Sequence, residues 1–250
     1  MKLVDRRTFV WTMWLFPVAL LGAPAEFPAA DACPPSWTYQ KQREWGGTCE
    51  AGKRQSPVDI GSAAATATLT PIAFAYRAFP LAVMNTSRVF EVPDAANCSI
   101  TANQVTATLQ QFHFHFPSEH QVRGVAFAGE LHLVHAAPNN QLAVVGVFIA
   151  RGAHNNSFDP IVALAKDVAA CRTSKVQGAI NPAPLVANVR DYVTYAGSLT
   201  TPPCSETVTW YVAATPITAS EEQIRILKSI GPSSRTPQPL NGRMLSAYRR

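Results

Sequence analysis

Apolar and polar residues alternate along several short stretches of this chain, and few stretches repeat with the period of a helix. Alternation with period two places successive side chains on opposite faces of an extended strand. The same stretches are rich in β-branched and aromatic residues, which favour strands. The pattern therefore predicts a β-rich domain with strands over residues 105–116, 130–135, 142–149 and 207–213.

Two short stretches carry the start signals of helices. Asp159 is expected to cap a helix that continues through residues 161–170, with Pro160 in its first turn. Ser220 and Gln223 form the pair of a capping box, directly before the apolar residues of a second helix. Both helices are predicted to be short and to lie on the surface.

The first thirty residues have the composition of an export signal. Basic residues that end in Arg6 and Arg7 precede an apolar stretch over residues 9–21, and several alanines follow. The arginine pair fits either a twin-arginine signal or an ordinary secretory signal. The apolar stretch is short for a bilayer span and contains a proline, which disfavours a retained membrane anchor. We therefore predict an export signal at 1–30 and a folded domain at 33–250.

Length and composition restrict the class of protein. A chain of 250 residues with 47% apolar residues can bury one sizeable core, so a single domain is expected. Charged residues make up 15% of the chain, which disfavours coiled coils and long solvated helices. The formal net charge is +5, but the basic residues are scattered and form no run in the folded domain. A nucleic-acid partner is therefore not expected.

Histidines concentrate in two of the predicted strands. In one strand His113 and His115 share a face, because residues two apart point the same way, and the phenylalanines between them point to the core. In the other, His132 shares a face with a glutamate, so a third imidazole can join from a neighbouring strand. Gln111 and Glu130 each precede one of these histidines by two positions and can orient its ring.

This distribution predicts a metal site with His113, His115 and His132 as ligands. Three neutral imidazoles leave one open position on a tetrahedral ion and retain nearly all of its charge, which suits zinc acting on a bound water. An alternative is a cupin site that binds iron or manganese, in which Glu119 is a further ligand, although cupins usually have a glycine before the first histidine. The remaining histidines are expected to be structural: His120, His135 and His154.

Four ordered motifs resemble the alpha-class carbonic anhydrases, between about Trp37 and Arg243. They are the segment 55–60 (QSPVDI), the segment 111–116 (QFHFHF) followed by 118–120 (SEH), the segment 130–135 (ELHLVH), and the segment 198–203 (SLTTPP) followed by 208–210 (VTW). The resemblance implies a large, twisted, mostly antiparallel sheet of about ten strands with short surface helices. It also implies a zinc enzyme that interconverts carbon dioxide with bicarbonate and a proton through a zinc-bound hydroxide.

The same resemblance implies roles for individual residues. Thr200 would accept a hydrogen bond from the hydroxide and donate its own to Glu119, so that both position the nucleophile. The backbone near Asn241 would orient the remaining histidine ligand. An apolar pocket for carbon dioxide would be formed by Val134, Val144, Leu199, Thr201, Val208 and Trp210. Sulfonamides and small anions would inhibit the enzyme, and a weak esterase activity would accompany hydration.

Two departures from the family pattern stand out. Many relatives carry a proton-shuttle histidine where this chain has Arg88, and an arginine cannot release a proton near neutral pH. We expect proton transfer to limit turnover and buffers to accelerate it. The turn at Phe116 and Pro117 is also shorter than in many relatives, which is expected to affect the position of Glu119. Tyr39 matches a tyrosine that orders water in relatives.

The cysteines are consistent with export, because disulfides form in oxidising compartments. The resemblance implies a disulfide between Cys49 and Cys204, which would brace the loop that carries Thr200. Any two of Cys33, Cys98 and Cys171 could pair, and Cys33 could instead be lipidated. A bacterial periplasm is the expected compartment, with a thylakoid lumen or secretion as alternatives. A further functional alternative is a non-catalytic binding or structural protein that retains zinc.

Overall fold

The computed structural model describes residue 33 and residues 36–65, 68–93, 95 and 97–250. Within these, two 3₁₀ turns cover Tyr39–Glu44 and Asn156–Phe158, and four short helices are α1 (Gly47–Ala51), α2 (Asp159–Ala165), α3 (Ala183–Val186) and α4 (Glu221–Leu227). The first strands are β1 (Ala64–Ala65), β2 (Ala73–Ala75), β3 (Phe79–Asn85), β4 (Phe90–Val92), β5 (Ser99–Ala102), β6 (Val105–His115), β7 (Gln121–Val122) and β8 (Val125–Ala126). The remaining strands are β9 (Gly129–Ala136), β10 (Leu142–Arg151), β11 (Arg172–Ile180), β12 (Tyr192–Gly197), β13 (Val208–Ala213), β14 (Ile217–Ala219) and β15 (Ser246–Tyr248).

Thirteen of the described strands form one sheet, and β7 and β8 form a separate hairpin. The main path runs in the order β1-β15-β12-β13-β10-β9-β6-β4-β3-β11, with β14 beside β10, β5 beside β6 and β2 beside β5. Most neighbouring pairs are antiparallel, but β10 runs parallel to β13 and β14, and β1 runs parallel to β15. The β-rich class and the mostly antiparallel sheet are therefore confirmed, in a mixed sheet.

The centre of the sheet is buried on both faces. Strand β10 is an almost continuous apolar run, and its residues from Leu142 to Ile149 are all buried between β9 and β13. One cluster of apolar side chains packs on the face that holds Phe112 and Leu133. A second, smaller cluster packs on the other face around Val144 and Trp210. The strand alternation therefore separates a large core from the face that carries the histidines.

The capping box of the second predicted helix is confirmed. The Ser220 side chain accepts a hydrogen bond from the backbone N–H of Gln223, and the Gln223 side chain accepts one from the backbone N–H of Ser220. The cap of the first helix is wrong by one position, because α2 begins at Asp159 and Phe158 occupies the cap. The Asp159 carboxylate instead lies 2.8 Å from Nε2 of His154. The helix also ends at Ala165, before the predicted position 170.

Two disulfides close the fold, Cys49–Cys204 and Cys33–Cys171, and Cys98 is buried as a free thiol. The first pair is the one that the family resemblance implied. The second disulfide joins Cys33 to Cys171, so Cys98 is the unpaired member of the three cysteines whose pairing was open. None of the helices in the described ranges is long and apolar enough to cross a membrane. The predicted export signal at 1–30 lies outside the described residues.

Candidate active site

Three histidines converge on one face of the sheet. His113 and His115 extend from β6, and His132 extends from β9. In the antiparallel register of these two strands, His132 lies directly opposite His113. One ring nitrogen of each histidine lies within 4.8 Å of the corresponding nitrogens of the other two. The phenylalanines between them, Phe112 and Phe114, are fully buried in the large core on the other face. Strand alternation therefore produces both the ligand set and its support.

Each of the three rings is oriented by a further polar group. The Nδ1 of His113 lies 2.8 Å from Oε1 of Gln111, and the Nε2 of His132 lies 3.1 Å from Oε1 of Glu130. The Nδ1 of His115 hydrogen-bonds to the carbonyl oxygen of Ser233. These contacts direct Nε2 of His113, Nε2 of His115 and Nδ1 of His132 toward one point, which is the arrangement that a metal site needs.

Asn241 does not orient a ligand. The backbone carbonyl beside Nδ1 of His115 belongs to Ser233 and not to the chain near Asn241, which is exposed and whose side chain donates to the carbonyl oxygen of Lys53 at 3.0 Å. Ser233 also accepts a hydrogen bond from the backbone N–H of Phe116 through its hydroxyl, at 3.0 Å. The loop that contains Ser233 has no regular pattern, so no sequence signal indicated which carbonyl would face His115.

Burial disfavours the charged form of each of the three imidazoles. It lowers the pKa of His113 well below its usual value, and the neighbouring charges of His115 and His132 lower it further. Burial also lowers the pKa of His115 to about 4 and the pKa of His132 in the same direction. A neutral imidazole has a lone pair available for a metal, so the site is ready to bind a cation at neutral pH.

Glu130 connects two parts of the site. Its Oε2 accepts hydrogen bonds from the backbone N–H groups of Glu119 and His120, at 3.0 and 2.9 Å. Its Oε1 lies 2.7 Å from Nδ1 of His120, whose Nε2 contacts the hydroxyl of Tyr195 at 2.6 Å. Burial favours the protonated form, but the charges of His120 and His132 outweigh it and hold the pKa of Glu130 well below its usual value.

His120 is therefore structural, as expected, and it also supports the site through its contact with Glu130. The signal was present in the sequence, because His120 directly follows Glu119 in a segment that resembles the family. His135 lies on the opposite face, where it contacts the hydroxyl of Tyr76 and the carbonyl oxygen of Ala143. His154 is in an exposed loop. Three of the six histidines, His113, His115 and His132, therefore form a group that could hold a metal ion.

Glu119 and Thr200 lie together beside the histidines. Glu119 Oε2 is 3.6 Å from Nε2 of His115 and 3.9 Å from Nδ1 of His132. Burial raises the pKa of Glu119 to about 7, and the charge of His132 and a hydrogen bond from the Thr200 hydroxyl oppose this rise. The short turn at Phe116 and Pro117 thus leaves Glu119 at the site.

A cavity of about 390 Å³ opens onto this face. His113, His132 and Thr200 line its polar side, and its apolar side includes Val134, Val144, Leu199 and Trp210, with Thr201 at the edge. Val208 is not among the lining residues. It is buried behind the wall in the same apolar cluster as Val144 and Trp210. An apolar wall beside a metal centre suits a small uncharged substrate.

Arg88 lines a smaller adjoining cavity of about 190 Å³, together with Trp37, Tyr39, His113 and His115. Arg88 therefore lines the same cavity as two of the three histidines. Tyr39 is buried, its ring packs edge-on against His115, and burial raises the pKa of its hydroxyl well above the usual value.

Comparison with known proteins identifies the family. The family model for eukaryotic-type carbonic anhydrases matches residues 34–250. The chain belongs to the alpha-carbonic anhydrases. The carbonic anhydrase of Pectobacterium atrosepticum is 33% identical over 245 residues, which cover 92% of this chain and 98% of the relative. The chain is therefore an enzyme of the carbonic anhydrase type, and the cupin interpretation of Glu119 is wrong.

Solved structures share the fold. The alpha-carbonic anhydrase of Photobacterium profundum superposes with a TM-score of 0.76 at 35% identity, over 82% of this chain and 95% of that one. The enzyme of Thermovibrio ammonificans, solved in complex with the inhibitor sulfanilamide, superposes with a TM-score of 0.75 at 34% identity, over 80% and 89% of the two chains. The residues that the family model matches, 34–250, include β6 and β9, the two strands that carry the three histidines.

Proposed function

We propose that this protein catalyses the zinc-dependent, reversible hydration of carbon dioxide to bicarbonate and a proton. The convergence of three imidazole nitrogens within 4.8 Å, beside a buried Glu119 and an apolar cavity wall, carries the proposal. The donor set consists of neutral nitrogen ligands, which suit zinc. His113, His115 and His132 would hold the ion. When bound, zinc supplies the Lewis acidity that makes water nucleophilic near neutral pH.

Thr200 and Glu119 orient the reacting oxygen. The Glu119 carboxylate is placed to accept a hydrogen bond from the Thr200 hydroxyl. The lone pairs of that hydroxyl are then available to accept a hydrogen bond from the reacting oxygen, which turns its own lone pair toward the substrate carbon. Glu119 acts by fixing a direction and does not remove the proton itself. The backbone N–H of Thr200 stabilises the oxygen of carbon dioxide or bicarbonate.

The apolar wall binds the uncharged substrate. Val134, Val144 and Leu199 face the cavity from three different chain segments, and Trp210 also lines it. The valine and leucine side chains offer no hydrogen bonds, and the indole N–H of Trp210 already donates to the carbonyl oxygen of Ser198 at 3.0 Å. The wall therefore favours carbon dioxide over water, and charged bicarbonate leaves the apolar side of the cavity. Small anions and sulfonamides are expected to compete at the polar side, beside the histidines.

Arg88 is expected to make proton release slow. An arginine side chain has no site that accepts a proton near neutral pH, so Arg88 cannot take one from the metal centre. Proton transfer to bulk solvent then depends on dissolved buffer, and turnover rises with buffer concentration. Hydration itself does not require Arg88.

The protein is proposed to work outside the cytoplasm after removal of residues 1–30. The two disulfides, Cys33–Cys171 and Cys49–Cys204, support export because such bonds persist in oxidising compartments. The bacterial periplasm is the proposed compartment. Expression with the leader intact, followed by fractionation and N-terminal sequencing, tests both the cleavage and the location.

Stopped-flow measurement of carbon dioxide hydration on metal-quantified protein tests the activity. The wild-type protein should show zinc-dependent hydration that a sulfonamide abolishes and that rises with buffer concentration. His132→Ala removes one ligand and should lose both zinc and activity, whereas His154→Ala, at an exposed position, is the matched control and should retain both. Stoichiometric zinc with no hydration in any buffer would overturn the proposal in favour of a non-catalytic binding or structural protein.

A further inference from the structure

The Cys33–Cys171 disulfide packs against the turn that carries Arg88. The Ser87 hydroxyl oxygen lies 3.3 Å from Sγ of Cys171 and 3.9 Å from Sγ of Cys33. The carbonyl oxygen of Thr86 lies 3.6 Å from Sγ of Cys33. The backbone N–H of Cys171 also donates to the carbonyl oxygen of Asn85 at 2.7 Å. The disulfide is therefore in contact with the chain immediately before Arg88.

Arg88 in turn forms hydrogen bonds to the backbone of Trp37. Its Nε and Nη2 both donate to the carbonyl oxygen of Trp37, at 3.0 and 2.6 Å, and Nη1 donates to the carbonyl oxygen of Ser87 at 2.8 Å. The guanidinium carbon lies 5.5 Å from the centre of the Trp37 ring. Bidentate hydrogen bonds and a ring contact fix the direction of a side chain that is otherwise long and flexible.

These residues form one wall of the smaller cavity. Cys33, Trp37 and Arg88 line it, and so do the metal-binding residues His113 and His115. The Trp37 ring also packs edge-on against Tyr39 and Trp45, with centroids 5.3 and 5.2 Å away. Trp37 is thus held by aromatic contacts on one side and by the tethered segment on the other.

We propose that Cys33 and Cys171 are positioning residues for this wall. Their disulfide holds Trp37 against Arg88, and the closed wall restricts the approach of buffer molecules to the metal centre. The proposal rests on the proposed hydration activity, because it concerns the proton that hydration releases. Cys33 is only four positions from Trp37, so the disulfide limits how far Trp37 can move away from Arg88. Without the disulfide, the wall therefore opens.

The double variant Cys33→Ser/Cys171→Ser tests the proposal. The buffer concentration that gives half-maximal turnover should fall several-fold relative to wild type, because buffer reaches the centre more easily. The value of kcat/KM for carbon dioxide should not change, because it excludes the proton-release step that follows the formation of bicarbonate. Cys98→Ala, which removes the buried free thiol, is the matched control and should behave as wild type in both measurements.

Quenching of tryptophan fluorescence by acrylamide adds a readout that requires neither metal nor activity. The fluorescence of Trp37 is obtained as the difference between the protein and its Trp37→Phe variant. Acrylamide should quench this fluorescence more strongly when the disulfide is absent. Unchanged quenching and an unchanged half-saturating buffer concentration in a folded double variant would overturn the proposal. So would a loss of zinc or of kcat/KM, because the disulfide would then support the whole site. A wild-type protein with no hydration, combined with increased quenching in the variant, would overturn the proposed function and leave the positioning role supported.

Discussion

The backbone N–H of Arg235 donates a 2.8 Å hydrogen bond to Oε1 of Glu119. This contact fixes the rotation of the carboxyl group, so that Oε2 lies 3.6 Å from Nε2 of His115. The Arg235 side chain is itself held by the carbonyl oxygens of Ser56 and Cys49, each at 2.8 Å. A buried arginine therefore links the direction of Glu119 to the segment that carries the Cys49–Cys204 disulfide.

Glu119→Gln should lower kcat/KM for carbon dioxide while the protein retains zinc. The amide oxygen would accept from Arg235, and the amide NH₂ would then face Thr200 with a donor where an acceptor is required. Loss of one positioning interaction in a buried site costs roughly 10²–10³-fold in rate. Stopped-flow kinetics with zinc analysis checks this expectation. A variant with wild-type kcat/KM would show that Thr200 needs no acceptor at Glu119.

Arg88→His should raise turnover most strongly in weak buffer. A histidine at this position titrates near neutral pH and can relay a proton, which the guanidinium cannot do. At high buffer concentration the two proteins should approach the same kcat, and kcat/KM should remain equal throughout. Arg88→Gln is the control, because it removes the charge without supplying a proton carrier. An equal rate for Arg88→His and Arg88→Gln in weak buffer would argue against a relay at this position.

Metal removal should lower both activity and thermal stability. The chelated protein retains three imidazoles crowded together, with Nε2 of His113 and Nε2 of His115 only 2.9 Å apart. Zinc at a free concentration a thousandfold above its Kd would stabilise the native state by about 4 kcal/mol. Calorimetry with and without chelator measures the change in Tm, and added zinc should restore it. His132→Ala should show a much smaller response to zinc.

Reduction of Cys49–Cys204 should destabilise the protein and reduce its activity. The two cysteines are 155 positions apart. For so long a loop, the loss of chain entropy in the unfolded state corresponds to about 5 kcal/mol of stability. Cys204 follows the loop of Thr200, and the Cys204 carbonyl oxygen accepts from the Gln55 side chain at 3.1 Å. Cys49→Ser/Cys204→Ser should therefore lower both the denaturant midpoint and kcat/KM. If the double variant matched the wild type in both quantities, the disulfide would not brace the loop.

Stability should fall as the pH drops from about 6.5 to 4, in part through His135. Burial lowers the pKa of His135 to about 4, while an unfolded histidine titrates near 6.5. The unfolded chain binds more protons in this window, so protonation favours unfolding by up to about 1.4 kcal/mol per pH unit. Urea titrations of metal-free protein at several pH values measure the slope. His135→Gln should have a shallower slope than wild type, and parallel curves would rule out His135 as a cause.

The arrangement of the ligand strands was predictable from local pattern. The alternation in 111–116 placed His113 and His115 on one face and the phenylalanines in the core, and the structure shows the same division. The predicted strand 142–149 is likewise buried along its whole length. These predictions needed only the two-residue period of a strand, which does not depend on the rest of the chain.

The tertiary structure decided every contact between segments that are distant in sequence. The carbonyl oxygen that orients His115 comes from Ser233, 118 positions away, and Asn241, expected in that role, contacts Lys53 instead. The backbone N–H that holds Glu119 comes from Arg235, and the partner of Cys33 is Cys171. Loops without periodicity carry no local signal of where their backbone groups will point, because their conformation follows from packing.

The sequence by itself thus determined the class of fold, the three histidines and their immediate polar neighbours, because strand alternation and metal chemistry are local properties. The folded chain decided how those residues are oriented and what encloses them. The contacts of Arg88 are among the features that only the folded chain decided. The sequence does not indicate that the carbonyl oxygen of Trp37 holds the Arg88 guanidinium at the cavity wall. Hydrogen bonds across the fold form only when packing brings their donors and acceptors together, so they are properties of the tertiary structure.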